Sequence, residues 1–208
     1  MKNTRRRKIL KIGVTGGIGS GKSELCRLFE AEGIPVFYAD TVAKNLVDSS
    51  AEIQARIRRV FGSKSIGEKG TPNRTKLAEV VFADRGMREK LNAIVHPDVL
   101  RAFRDFVRRN SSENTAPFLI AEAALIFESR MNEKLDYVIV IDAPEDVRIR
   151  RVQRRDAVSR EDVKRRITSQ MPVGKKLVRA DFIVKNDGTV TDLKKAVDFF
   201  INLFRFMS

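Results

Sequence analysis

Eight consecutive residues, Gly16-Gly17-Ile18-Gly19-Ser20-Gly21-Lys22-Ser23, fit the pattern G-x-x-x-x-G-K-[ST]. Each residue type in it has a chemical reason. Glycines let backbone N–H groups turn inward around an anion with no Cβ in the way. The lysine neutralises charge on β- and γ-phosphates, and the final hydroxyl is placed to ligate Mg²⁺. The flanks agree with this reading. Lys11 to Thr15 (KIGVT) is short, apolar and β-branched, as a buried strand is. Ser23 to Glu32 spaces Leu25, Leu28 and Phe29 as a helix does, and Gly33 follows as a stop. A helix beginning near Lys22 adds the positive end of its dipole to the site. An idle glycine turn would account for the loop alone but for neither flank. The loop therefore predicts a nucleoside-triphosphate site, with Gly17, Gly19, Ser20, Gly21, Lys22, Ser23 and Glu24 as its contacts.

The pattern along the rest of the chain alternates. Ile34 to Tyr38, Phe118 to Ala121, Tyr137 to Ile141 and Phe182 to Val184 read as further strands. From Thr41 to about Arg109 the spacing is helical, broken by a Gly-rich stretch from Gly62 to Pro72. Val147 to Gln170 reads as helix, loop, helix. After the turn signal Asn186-Asp187-Gly188, an amphipathic helix runs from Thr191 to about Phe204. Strands alternating with helices predict an α/β fold with a mostly parallel sheet. The helical stretch is too long for a simple crossover. It predicts a helical subdomain, about 41–115, inserted beside a core of about 9–40, 116–145 and 180–208.

Composition narrows the partners. A chain of 208 residues suits one domain, or one carrying an inserted subdomain. With 42% hydrophobic and 33% charged residues it is an ordinary globular sequence, not a disordered one. The net charge of +14 favours anionic partners, without choosing among nucleotides, phosphorylated cofactors, nucleic acid and acidic membranes. Cys26 is the only cysteine, so no internal disulfide forms, which fits a reducing compartment. In the helix after the loop it reads as a small buried apolar residue. No apolar run approaches the roughly 18 residues of a membrane span. After the basic run Arg5-Arg6-Arg7-Lys8 the apolar stretch is short and runs straight into the glycine loop, unlike a signal peptide. The run reads as a solvated arm before the first strand, with a nucleic-acid contact as the functional alternative. The expectation is a cytoplasmic protein without a membrane partner.

A phosphate loop alone does not name a reaction. The sequence has no N-K-x-D guanine-reading motif and no L-S-G-G-Q transporter signature, and it is short for a motor. A small-molecule kinase leads. The competitors are another nucleotide kinase on the same scaffold and a nucleic-acid-binding ATPase. The second lacks an aromatic-rich basic groove, because most of the 13 phenylalanines fall on expected buried faces.

Several segments, taken together, resemble the dephospho-CoA kinase family. Thr15 to Ser23 resembles its T-G-G-I-G-S-G-K-S opening. Ile34-Pro35-Val36-Phe37-Tyr38-Ala39-Asp40 is similar to its D-A-D segment, and Leu91 to Pro97 to its L-N-x-x-x-H-P. Leu125-Ile126-Phe127-Glu128 resembles L-L-F-E. Arg155-Asp156, then Arg166-Ile167 with Gln170, resemble its lid pattern. Ala180 to Val184, with Asn186 and Gly188, resembles its A-D-x-V-I-x-N-x-G ending. The matches run in order from Thr15 to Gly188. Tyr38 departs from the pattern where many members carry an Asp, and Ala124 departs where a Pro usually stands.

The resemblance implies a P-loop kinase fold of nucleotide core, helical substrate subdomain and mobile lid (about 146–172). It implies Mg²⁺, ATP and dephospho-CoA, with the phosphoryl group going to the ribose 3′-hydroxyl in the last step of coenzyme A synthesis. Asp40, just past the second strand, is the family's base position, and a carboxylate there can take the proton of an attacking hydroxyl. It also suits an N-cap of the next helix. Of the arginines between Arg148 and Arg166, the resemblance favours Arg151 and Arg155 as contacts to the transferred phosphate, most of the segment's basic residues being solvated face. Thr15 and His96 are implied acceptor contacts, though a lone His is often structural and Pro97 after it says mainly that the backbone turns. Glu122, ending the third strand, either holds a Mg²⁺-bound water or is a solvated loop carboxylate. Asn186 and Gly188 either shape the adenine pocket or form a plain turn.

Overall fold

A computed structural model describes residues 9–62, 65, 67, 71–113 and 116–208; the basic arm at Arg5 to Lys8 lies outside them. The chain divides into two compact units, one of Met1–Tyr38 with Phe106–Ser208 and the other of Ala39–Asp105.

The first unit is built on a five-stranded sheet in which every pairing is parallel. Strands β1 (Leu10–Gly16), β2 (Val36–Tyr38), β3 (Phe118–Glu122), β4 (Tyr137–Asp142) and β5 (Phe182–Lys185) lie in the order β2-β3-β1-β4-β5. β1 is central, with Val14 opposite Glu122 on one side and Ile139 on the other. β2 is two residues shorter than its apolar run. Pro35 has no N–H to give a ladder and contributes only its carbonyl, which accepts from Ile120 N–H at 2.9 Å.

Alternate residues of a strand face opposite sides of a sheet. One face presents Ile12, Val14, Phe118, Ile120, Ile139, Ile141 and Val184 to helices α1 (Lys22–Ala31) and α9 (Val190–Met207). Leu25 and Phe29 of α1, with Leu193, Phe200 and Phe204 of α9, complete that core. Phe204 lies 5.2 Å from Phe118, ring to ring, and 5.7 Å from Phe182. Such edge-on pairs add to the area they bury. On the other face Gly13 leaves room for the side chains of Ile126 and Leu135. A strand covered on both sides reads as the continuous apolar run seen in the sequence. A capping box of Thr189 and Asp192 starts α9.

Beyond the sheet, α6 (Glu145–Asp156) and α7 (Arg160–Thr168) pack through Ile149, Val152 and Val163. A short helix, α8 (Val173–Leu177), follows, and a 3₁₀ turn covers Met131–Lys134; neither shows in the sequence pattern.

The second unit takes in α2 (Ala39–Ser49), α3 (Ala51–Phe61), α4 (Arg74–Ala83) and the larger part of α5 (Arg85–Glu113). Ser50 caps α3 and Asn73 caps α4. The expected backbone turn at Pro97 does not occur, because α5 runs through it. The missing N–H removes one helical bond, and the helix is held by its buried stripe of Ile94, Val95, Val99 and Phe103. Arg56 of α3 pairs with Asp98 of α5 at 2.7 Å. Among the described residues no helix is long and apolar enough to cross a membrane.

Candidate active site

The glycine loop bridges the carboxyl end of β1 and the start of α1. Gly19 and Gly21 have φ of 77° and 100°, where an L side chain is strained. Space forbids one as well. A Cβ on Gly19 would strike the carbonyl of Arg148, and one on Gly21 would strike the side-chain amide of Asn186. Ser20 N–H donates to the Gly17 carbonyl at 3.1 Å, which closes the loop. The Gly21 carbonyl takes the first helical bonds of α1, from the N–H groups of Glu24 and Leu25, each at 3.1 Å. Lys22 folds back so that Nζ donates to the carbonyls of Gly16 and Gly17 at 3.3 and 3.5 Å. Ser23 stands exposed on the first turn of α1, and Glu24 beside it pairs with Arg27 at 2.7 Å.

Several side chains brace the loop from behind. Asn186, buried after β5, donates its Nδ2 to the Ser20 carbonyl at 2.8 Å. It is therefore more than part of a plain turn. Gly188 leaves space for the Asp192 carboxylate, whose oxygen would lie 2.6 Å from a Cβ there. Arg148 is 5% exposed, and its Nε donates to the Ala143 carbonyl at 3.0 Å. Gln170 accepts the Ile18 N–H at 3.1 Å. Thr15 is wholly buried, and its hydroxyl donates to the Ala124 carbonyl at 3.3 Å.

A cleft of about 170 Å³ opens on the loop, lined by Gly19, Gly21, Lys22 and Ser23 on one side and by Arg151, Val152 and Arg155 of α6 on the other. Arg151 Nη1 is buried and makes no hydrogen bond among the described residues. A buried guanidinium nitrogen without an acceptor is costly. Its place beside a phosphate-shaped loop suits an anionic oxygen. Arg155 reaches the same cleft but grips Asp156 with two bonds of 2.7 and 3.0 Å, and Arg166 adds a third at 2.7 Å. The Arg155 hydrogen bond, and then that of Arg166, hold the Asp156 carboxyl below its usual range.

Glu122 is the last residue of β3 and only 6% exposed, so it is not a solvated loop carboxylate. It lies close enough to Cys26 for the thiol to feel both Glu122 and Lys22. Burial, followed by the Glu122 charge, raises that thiol well above its ordinary value, as befits a buried apolar residue. Tyr38, next to Glu122 in register, donates its hydroxyl to Glu30 at 2.7 Å.

In the second unit, Asp40 is exposed within the first turn of α2. The helix begins at Ala39, so Asp40 is not its N-cap, although an anion there still complements the helix dipole. His96 of α5 is half-buried. Burial pushes its pKa below the ordinary value, while the nearby Asp40 charge works the other way.

Sequence reasoning gave no role to Arg148, buried against the loop, or to Glu128, and passed over its partner Lys176. Arg148 and Lys176 sit among many solvated cations, and burial alone distinguishes them.

The sequence profile described as dephospho-CoA kinase matches residues 10–192. A dephospho-CoA kinase of Salinibacter ruber is 43% identical over 184 residues, covering 88% of this chain and 92% of the relative. Among solved structures, a Thermus thermophilus protein superposes with a TM-score of 0.81 at 32% identity, covering 95% of this chain and 98% of that one. A dephospho-CoA kinase from Campylobacter jejuni does so with a TM-score of 0.68 at 28% identity, covering 94% and 97%. With a parallel sheet, a phosphate loop on its central strand and an arginine facing that loop, the chain belongs to the dephospho-CoA kinase family of phosphotransferases.

Proposed function

We propose that this protein transfers the γ-phosphoryl group of ATP to the ribose 3′-hydroxyl of dephospho-CoA, completing coenzyme A synthesis. The acceptor oxygen forms a bond to the γ-phosphorus, the bond from phosphorus to the β–γ bridging oxygen breaks, and ADP leaves. The hydroxyl proton passes to the carboxylate of Asp40. Lys22 exchanges its loop carbonyls for β- and γ-phosphate oxygens, and N–H groups of the loop cradle the β-phosphate, with Glu24 beside them on the first turn of α1. Arg151 supplies a fork for charge that spreads over the transferred group, with Arg155 released from Asp156 as a second. His96 serves the acceptor, Thr15 is too deeply buried to touch it and acts only through the loop backbone, and Asn186 and Gly188 border the adenine side.

The residues present fit Mg²⁺. Ser23 offers an open hydroxyl on the first turn of α1, and Glu122 a buried carboxylate on the neighbouring strand. Among the described residues no cluster of three or more His, Cys, Asp or Glu could hold a metal unaided. That agrees with an ion that takes one or two protein oxygens and completes its shell with phosphates and water. When bound it would screen the triphosphate charge; Ser23 would ligate it and Glu122 orient its water.

The observation that supports this reading best is the buried, acceptor-free Arg151 Nη1 facing the loop of Lys22 and Ser23. Its test is the position of the new phosphate. Phosphorus and proton NMR of the product should show a monoester on the ribose 3′-oxygen of dephospho-CoA. A phosphate at any other position contradicts the proposal.

A further inference from the structure

Lys176 is wholly buried, which is rare for a lysine and costly unless its donors are matched. Its Nζ donates to the Ala124 carbonyl at 2.6 Å and pairs with Glu128 Oε1 at 3.1 Å. Both acceptors are shared. The Ala124 carbonyl also takes the Thr15 hydroxyl at 3.3 Å, and Glu128 Oε1 also takes the Met171 N–H at 3.0 Å. Next to Met171, Gln170 accepts the Ile18 N–H at 3.1 Å. These bonds form a closed circuit: Thr15, Ala124, Lys176, Glu128, Met171, Gln170, Ile18. It leaves the chain just before Gly16 and returns just after Gly17.

Gly16 and Gly17 have no side chains with which to fix themselves. A flexible pair at that point would have to be ordered each time phosphate binds, at a cost in affinity. We propose that Lys176 and Glu128 are positioning residues for the nucleotide: their ion pair closes the circuit that holds residues 15–18 in the conformation that receives phosphate. Neither touches the cleft; both act through the loop backbone. Charge matters here because the buried ammonium draws the Ala124 carbonyl and the Glu128 carboxylate together, and a neutral substitute at either position removes that attraction.

The proposal rests on the reading that the loop binds ATP, and the test separates the two. Binding of a non-hydrolysable ATP analogue is measured by calorimetry for the wild-type chain and for Lys176→Met, Lys176→Arg and Glu128→Gln, with the exchange rate of the Ile18 amide measured alongside. No binding by the wild-type chain would sink the ATP reading itself. With wild-type binding intact, Lys176→Met and Glu128→Gln should each weaken the analogue about tenfold or more and speed Ile18 exchange. The KM for the acceptor should stay within about twofold, and Lys176→Arg should recover part of the affinity. Should Lys176→Met fail to fold, Glu128→Gln, at a side chain 23% exposed, decides alone. A folded variant that is less heat-stable but binds the analogue normally, with Ile18 exchange unchanged, overturns the proposal.

Discussion

The side-chain amide of Asn186 and the carbonyl of Ser20 meet at 2.8 Å, tying the turn after β5 to the back of the phosphate loop. Both groups are buried, so the bond cannot be replaced by water without rearrangement. Asn186→Ala should destabilise the fold by about 1–3 kcal/mol, the cost of an unmatched buried carbonyl. It should also raise the KM for ATP more than that for the acceptor. Thermal unfolding and steady-state kinetics check both. An equal rise in both KM values would mean that the bond supports the fold in general and the loop in no special way.

Lys22 Nζ donates to carbonyls of its own loop at 3.3 and 3.5 Å, and these are poor matches for an ammonium group compared with phosphate oxygens. Lys22→Met should cut turnover by about 10²-fold or more, the usual loss when one preorganised donor to a transition state is removed. Circular dichroism should stay unchanged. Turnover within a factor of a few of wild type would remove Lys22 from the chemistry.

Asp40→Asn keeps the size of the side chain and removes its basicity. Turnover should fall by about 10²–10⁴-fold, the range of general-base contributions, while ATP binding survives. Calorimetry of ATP and single-turnover kinetics separate the two effects. Near-normal turnover would exclude Asp40 as the base.

His96 is the only histidine, so its imidazole signal in an NMR titration is unambiguous. Burial disfavours the charged ring, so its folded pKa lies below the ordinary 6.5. The neutral ring is then favoured on folding. The stability it contributes is complete above 6.5 and is lost as the pH falls through the lower folded value. The Asp40 charge opposes the shift, so Asp40→Asn should move the His96 titration still lower. An unmoved titration would mean that the two residues do not sense one another.

Much of the nucleotide half is legible in the sequence, because its signals are local. The loop declares itself through glycine spacing, and β1 and α1 through periods that change from strand to helix on either side. The buried character of Cys26 and the amphipathic final helix follow in the same way, while the capping box that starts that helix at Thr189 shows only in the structure. What escapes reading depends on contacts between distant residues. Pro97 looks like a break, yet its helix continues, since the packing of Ile94, Val99 and Phe103 outweighs one missing bond. Arg148 and Lys176 look like any other cation in a basic chain, and only the folded structure shows them enclosed. Asn186 reads as a turn residue because its partner, Ser20, lies 166 positions away. Residues 173–177 form a helix too short to leave a period in the sequence.

The central claim concerns the acceptor, and one assay addresses it directly. ADP release is followed with ATP, Mg²⁺ and a panel of acceptors: dephospho-CoA, adenosine, AMP and shikimate. The account predicts rapid release with dephospho-CoA and little with the others. Release with one of the others and none with dephospho-CoA would contradict it.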